Sequence, residues 1–265
     1  MKIYNCIPGG KFKALTMSYD DGKLEDRRLV DIFNHNGIRG TFNLNGGKLG
    51  YPDTVTAEEL NTLYAGHEIA THTLTHPTIA RCPMVSVAAE ILEDRKRLEA
   101  ITGSPVRGHA YPNSSSSEEI CALFHSLGIA YGRSTGSNRS FALPTDPMLW
   151  QPTCHHNDPQ LMDLGRRLAN NTSKHLLFLM YVWGHSYEFS RNDNWHVIEE
   201  FCQKMGGRDD IWYATNIQIV DYVNACRQVI ASADGKTLHN PTCIDIWADV
   251  DGKRVVIKAG ETVKV

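Results

Sequence analysis

Four short stretches of this 265-residue chain hold residue types that can do hydrolytic chemistry. Asp20 and Asp21 stand together in SYDDG, His72 and His76 stand four apart in HTLTH, Arg107 lies in RGHAYP, and His185 lies in VWGHS. Two imidazoles and one carboxylate leave positions open for water and substrate, the arrangement of a hydrolytic zinc site or its relatives. A metal so held lowers the pKa of bound water to ~7 and makes hydroxide available at neutral pH. Neighbouring carboxylates on a strand point to opposite faces, so one of the two aspartates can ligate while the other acts as general base. On a helix the HxxxH spacing would put both rings on one face; in a loop it proves less.

These residues need elements to position them, and the hydrophobic pattern supplies them. Ala14–Asp20 reads as a strand, followed by the helical run LEDRRLVDIFNHNG, which stops at Gly37. GIRGTFNL reads as a second strand, and TAEELNTLYAG as a helix with a capping box of Thr56 and Glu59. HEIATHT is a third strand with its exit loop, and VSVAAEILEDRKRLEAITG is the longest helix, ending at Gly103. VRGHAYP is strand four, SSEEICALFHSLG a helix capped by Ser116 and Glu119, and GIAYGRS strand five. The turn-rich stretch TGSNRSFALPTDPMLWQPTCHHNDP reads as an active-site loop region. A helix near 160–169, the apolar strand HLLFLMYVW, a helix over 195–205, the strand DIWYATN and the helix IQIVDYVNACRQVI follow.

Strands alternating with helices imply βαβ units and a parallel sheet. About seven such units suit a distorted or incomplete (β/α) barrel, with a doubly wound open sheet as the alternative. Asp20, Asp21, His72, His76, Arg107 and His185 then fall in or just beyond strands, near the C-terminal face where barrels assemble their sites. After Asn240 the period changes to two, with Asp251-Gly252 and Ala259-Gly260 as turn signals. Residues 1–239 are therefore expected to form the barrel, and 240–265 a small antiparallel β extension packed on it.

Composition excludes other classes. A net charge of −3 gives no basic footprint for nucleic acid, and no apolar run approaches the ~20 residues that cross a bilayer. MKIYNCIPGG has no apolar signal core, so with Met1 as the native start the expectation is a cytoplasmic protein. Seven scattered cysteines without a CxxC pair read as reduced thiols. Nothing in the sequence speaks to oligomeric state.

Across roughly Ala14 to Arg227 the motifs resemble those of the polysaccharide deacetylase family, carbohydrate esterase family four. SYDDG resembles its TFDDG motif, HTLTH its H(S/T)xxH, RGHAYP its Arg-Pro-Pro-Tyr motif and VWGH its closing Leu-x-His motif. The resemblance implies Asp20 as catalytic base, with Asp21, His72 and His76 holding a divalent metal. It further implies Arg107 pairing with the base and His185 as general acid. Zinc is the default metal, with cobalt, nickel or manganese as other occupants.

Tyr111, His109, Trp150 and Trp183 are the expected substrate-facing residues. The family's fourth motif, an Asp that tunes the acid and a pocket Trp, has no recognisable match; Asp146 and Trp150 are the nearest. Glu188, close to His185, has no assigned role, and His155-His156 read as a solvated pair. The implied activity is metal-dependent hydrolysis of an N-acetyl group on a carbohydrate. The alternatives are O-acetyl ester hydrolysis, a metal-independent cyclic amide hydrolase, and a carbohydrate-binding protein without catalysis.

Overall fold

A computed structural model describes residues 2–265. Eight strands form one all-parallel sheet: β2 (Lys13–Asp20), β3 (Gly40–Leu44), β4 (Glu68–Thr71), β5 (Gly108–Ala110), β6 (Tyr131–Arg133), β7 (Cys154–His155), β8 (Phe178–Gly184) and β9 (Ile211–Tyr213). Seven of them run in the order β6-β5-β4-β3-β2-β8-β7, while β9 pairs with the first half of β2. The sheet curls into a distorted (β/α) barrel. Its wall is completed by the segment around Trp150, whose N–H donates to Gly132 O while Ser134 N–H donates back to Trp150 O. The end of the turn-rich stretch is thus barrel wall rather than loop, because a run of six residues hydrogen-bonds to β6 on one side and β8 on the other.

Helices α1 (Asp26–His35), α2 (Leu60–Leu63), α3 (Met84–Thr102), α4 (Glu118–Ser126), α5 (Leu161–Ala169), α6 (Tyr187–Arg191), α7 (Trp195–Met205) and α8 (Asn216–Arg227) lie between the strands. Gly103 closes α3 with φ 68, the left-handed cap expected of it. The cap of α4 is Ser117, one residue beyond the expected Ser116, accepting from Ile120 N–H. The Thr56–Glu59 box keeps only its return bond, Thr56 N–H to Glu59 Oε1 at 2.7 Å, and the helix behind it is four residues long.

Every residue of β2 is buried, since the strand has neighbours on both edges and layers on both faces. Its two faces differ. Leu15, Met17 and Tyr19 join Leu29, Val30 and Phe33 of α1, Leu161, Leu164 and Leu168 of α5, and Ile198, Phe201 and Met205 of α7 in the main apolar core. Thr16, Ser18 and Asp20 form the alternate column and meet polar partners: Thr16 Oγ1 bonds Asn216 Oδ1 at 2.8 Å, and Asn43 Nδ2 reaches Ser18 Oγ at 2.9 Å. The barrel interior is therefore a hydrogen-bonded polar column, and Asp20 is its last member on β2.

Two small antiparallel sheets sit beside the barrel. One orders β1 (Ile3–Cys6), β12 (Ile246–Val250) and β13 (Lys253–Ile257); the other orders β10 (Ile230–Ala231), β11 (Thr237–His239) and β14 (Thr262–Lys264). The appendage therefore draws strands from before residue 240 as well as after it. All seven cysteines are free. Among the described residues no helix is long and apolar enough to cross a membrane.

Candidate metal centre and active site

Strand alternation decides between the two aspartates. Asp20 continues the inward column and is 2% exposed, whereas Asp21 leaves the strand with φ 76, its N–H bonded to Asn43 O at 3.0 Å. That left-handed residue sends the second carboxylate towards the loop after β4. There His72 and His76 converge on it: Asp21 Oδ1 lies 3.8 Å from His72 Nε2 and 3.7 Å from His76 Nε2.

The histidine loop is not helical. Thr73 and His76 have φ 65 and 66, and the imidazoles meet edge to face with centroids 4.7 Å apart. Thr71 and Thr73 hold it so: Thr73 N–H donates to Thr71 Oγ1 and His76 N–H to Thr73 Oγ1, each at 3.1 Å. Asn45 Nδ2 closes on the carbonyls of His72 and Thr73 at 2.6 and 2.8 Å. From behind, buried Asp94 of α3 accepts Gly46 N–H at 2.5 Å and the Thr71 hydroxyl.

The donor set fits a divalent ion. His72 Nδ1 lies 2.7 Å from Ala110 O, so it carries the proton and leaves the Nε2 lone pair facing Asp21. One ligand atom each from Asp21, His72 and His76 lies within 4.8 Å of the others. Donors of a tetrahedral site with ~2.0–2.1 Å bonds sit roughly 3.4 Å apart, a few tenths of an ångström inside the observed spacing. Two imidazoles and a carboxylate also leave room for exchangeable ligands.

Arg107, expected beside the base, stands elsewhere. It precedes β5, and residues at the N-terminal ends of parallel strands face the opposite end of the barrel; there it makes two bonds to Asp221 of α8 at 2.8 and 2.9 Å. The arginine on Asp20 is Arg133, the last residue of β6, fully buried and bonded to both carboxylate oxygens. Its guanidinium also lies 4.7 Å from the Trp183 ring centroid. Burial would raise the Asp20 carboxyl, but Arg133, with His72 and His185, outweighs it and holds the group well below the usual range.

Of the expected substrate-facing residues, Trp183 alone borders the site, its ring 5.8 Å from that of His185. Tyr111 is buried, its hydroxyl donating to Met148 O at 2.9 Å, and Trp150 packs edge-on against Tyr131 and Tyr181 in the second core. His109 is enclosed between Tyr111 and Phe124, with burial pushing its pKa well down. Three of the four are wall because β5, its exit and the Trp150 segment turn these rings into packing layers. Asp146 does not tune the acid; it caps a short turn at Met148 N–H, 2.8 Å away.

His185 follows β8 with Nε2 3.9 Å from Asp20 Oδ2 and Nδ1 3.4 Å from Glu188 Oε1. Burial would lower its pKa, yet Glu188 first, then Asp20 and Asp21, raise it above the ordinary value. Glu188 Oε2 in turn lies 3.1 Å from Nε2 of both His155 and His156. The sequence reading missed Arg133, left Glu188 beside His185 without a role and took His155-His156 as a solvated pair. Arg133 carried a usable signal, as the one charged residue of a predicted strand, placed at its C-terminal end.

Comparisons with known proteins agree with this architecture. The family described as polysaccharide deacetylase matches residues 9–132, which include Asp20, Asp21, His72 and His76 but neither Arg133 nor His185. A chitin deacetylase of Pestalotiopsis is 28% identical over 95 residues, 34% of this chain and 30% of that relative. A Mycobacterium smegmatis structure solved as a candidate polysaccharide deacetylase superposes with TM-score 0.63 at 17% identity, over 83% of this chain and 93% of that one. A family-four pseudoenzyme from Bacillus anthracis superposes with TM-score 0.50 at 17% identity, over 82% of this chain and 68% of that one. At these identities the solved structures speak to the fold alone, which a candidate enzyme and a pseudoenzyme share.

Proposed function

The chain is a relative of the polysaccharide deacetylases, and we propose that it is a metal-dependent hydrolase releasing acetate from N-acetylated carbohydrate. The observation that carries this reading is the convergence of a ligand set, a buried ionised carboxylate and a raised-pKa imidazole at one end of one barrel. Asp21, His72 and His76 would hold a divalent ion, which would supply acidified water and Lewis-acid polarisation at this end of the barrel. Zinc is the proposed occupant; cobalt, nickel and manganese suit the same donors.

The protein's own groups divide the proton work. Asp20, held as an anion by Arg133 and Asn43, accepts a proton from the attacking water. Arg133, fully buried, bonds both oxygens of that carboxylate. His185, protonated to higher pH than a free imidazole, donates through Nε2 to the departing nitrogen as the C–N bond breaks. An amine leaves poorly without a proton, whereas an alcohol leaves more readily. The raised His185 therefore favours an amide over an O-acetyl ester as substrate. The intact ligand set speaks against a metal-independent cyclic amide hydrolase and against a binding protein without turnover.

Acetate release from a panel of N- and O-acetylated sugars and oligomers tests the reading. N-acetyl substrates are expected to be preferred. Release from esters only would remove the amide assignment, and binding without release from any member would favour the non-catalytic alternative.

A further inference from the structure

A second group of ligand-type atoms, from His155, His185 and Glu188, lies within 4.8 Å beside the first. Its hydrogen bonding makes it a poor cation site. His155 Nδ1 accepts the N–H of Asn157 at 3.1 Å, so its proton sits on Nε2, 3.1 Å from Glu188 Oε2. A ring nitrogen bearing a proton has no lone pair to give a metal.

We infer instead that Glu188 and His156 are positioning residues for the acid His185: His156 fixes the Glu188 carboxylate, and Glu188 fixes the imidazole. The inference rests on the acid role proposed for His185 above. The parallel register of β7 on β8 aligns His155 with Trp183, and His156 N–H donates to Trp183 O at 2.8 Å. His156 is thereby set behind Gly184, the residue just before the acid. Its ring stacks against both Tyr19 and Phe189, with centroids 5.7 and 4.1 Å away, and is wholly buried.

A Cβ on Gly184 would run into the His156 ring, so the two positions are matched. Burial keeps His156 neutral, with its pKa pushed down to about 4. In that state its Nε2 lies 3.1 Å from Glu188 Oε2 without adding a charge that would compete with His185. Glu188 Oε1 lies 3.4 Å from both His185 Nδ1 and Arg191 Nη2.

The groups facing His185 are Asp20 at the end of β2 and Asp21 just beyond it, Glu188 and Tyr187 on α6, and His155 on β7; Arg191 approaches Glu188 at 3.4 Å. Glu188 is the carboxylate of these closest to its Nδ1.

The test is NMR titration of the histidine side chains in purified protein with one equivalent of zinc, a measurement that needs no turnover. Glu188→Gln is expected to lower the His185 pKa by about one unit or more. His156→Leu is expected to lower it by less, and His156→Gln, which keeps a donor at similar reach, to leave it near wild type. A His185 titration unchanged in folded Glu188→Gln would overturn the inference, whether or not His156→Leu folds. A protein that shows the shift but releases no acetate keeps the clamp and loses the deacetylase reading. An active protein without the shift does the reverse.

Discussion

Two clusters of histidine and carboxylate lie side by side at the mouth of this barrel, built from the same residue types and doing different work. In the Asp21 cluster, the Nδ1 proton of His72 is spent on Ala110 O and the Nε2 lone pair faces the carboxylate. In the Glu188 cluster, the Nδ1 of His155 is spent as an acceptor from Asn157 N–H, so Nε2 presents a proton. One backbone group, a carbonyl in the first case and an amide in the second, sets the tautomer and with it the function. Residue type and proximity would have scored the two alike.

Breaking the first cluster has the largest expected effect. His72→Ala or Asp21→Ala should lose zinc binding by titration calorimetry and nearly all acetate release, whereas His155→Ala should keep zinc affinity within about threefold. Equal losses of affinity from both clusters would erase the distinction drawn between them.

Next comes the base. Asp20→Asn should retain zinc and lower kcat by on the order of 10²–10⁴-fold. Arg133→Met leaves a buried carboxylate without its cation and should cost roughly 3–5 kcal/mol in denaturant unfolding. Its counterpart Arg107→Met removes a half-exposed ion pair and should cost at most about 1 kcal/mol, with kcat unchanged. A catalytic defect in the Arg107 variant would restore the role its motif suggested.

The smallest effect concerns pH. The acid must be protonated to act, and the folded pKa of His185 is raised, so activity present at lower pH is lost as pH rises through that value. Asp20 is held well below the usual carboxylate range, so it stays ionised throughout and adds no limb near neutrality. In Glu188→Gln the alkaline limb should move to lower pH, with modest change below it. A limb that stays in place would assign it to another group.

The legible parts of this molecule were local. Asp20-Asp21 and HTLTH are contiguous motifs, the barrel follows from alternating periodicities, and each could be read without knowing which distant residues meet. What failed was a choice of strand end. Arg107 enters β5 and Arg133 leaves β6, and only the exit of a parallel strand faces the site, so two arginines in short apolar strands have unrelated surroundings. The meeting of Glu188 with His156 was hidden for a different reason. Their meeting depends on the register of a two-residue strand at the end of an irregular stretch, which no periodicity announces. The appendage was visible as a period-two tail, but its partners Ile3–Cys6 and Thr237–His239 come from other parts of the chain.

The most direct test of the metal centre is acetate release from an N-acetylated chito-oligomer by metal-stripped protein as zinc is added back, with bound zinc counted in the same samples. Release that rises with zinc and saturates at one ion per chain is the expected result. Zinc bound at that stoichiometry without release, or release undiminished in stripped protein, would contradict it.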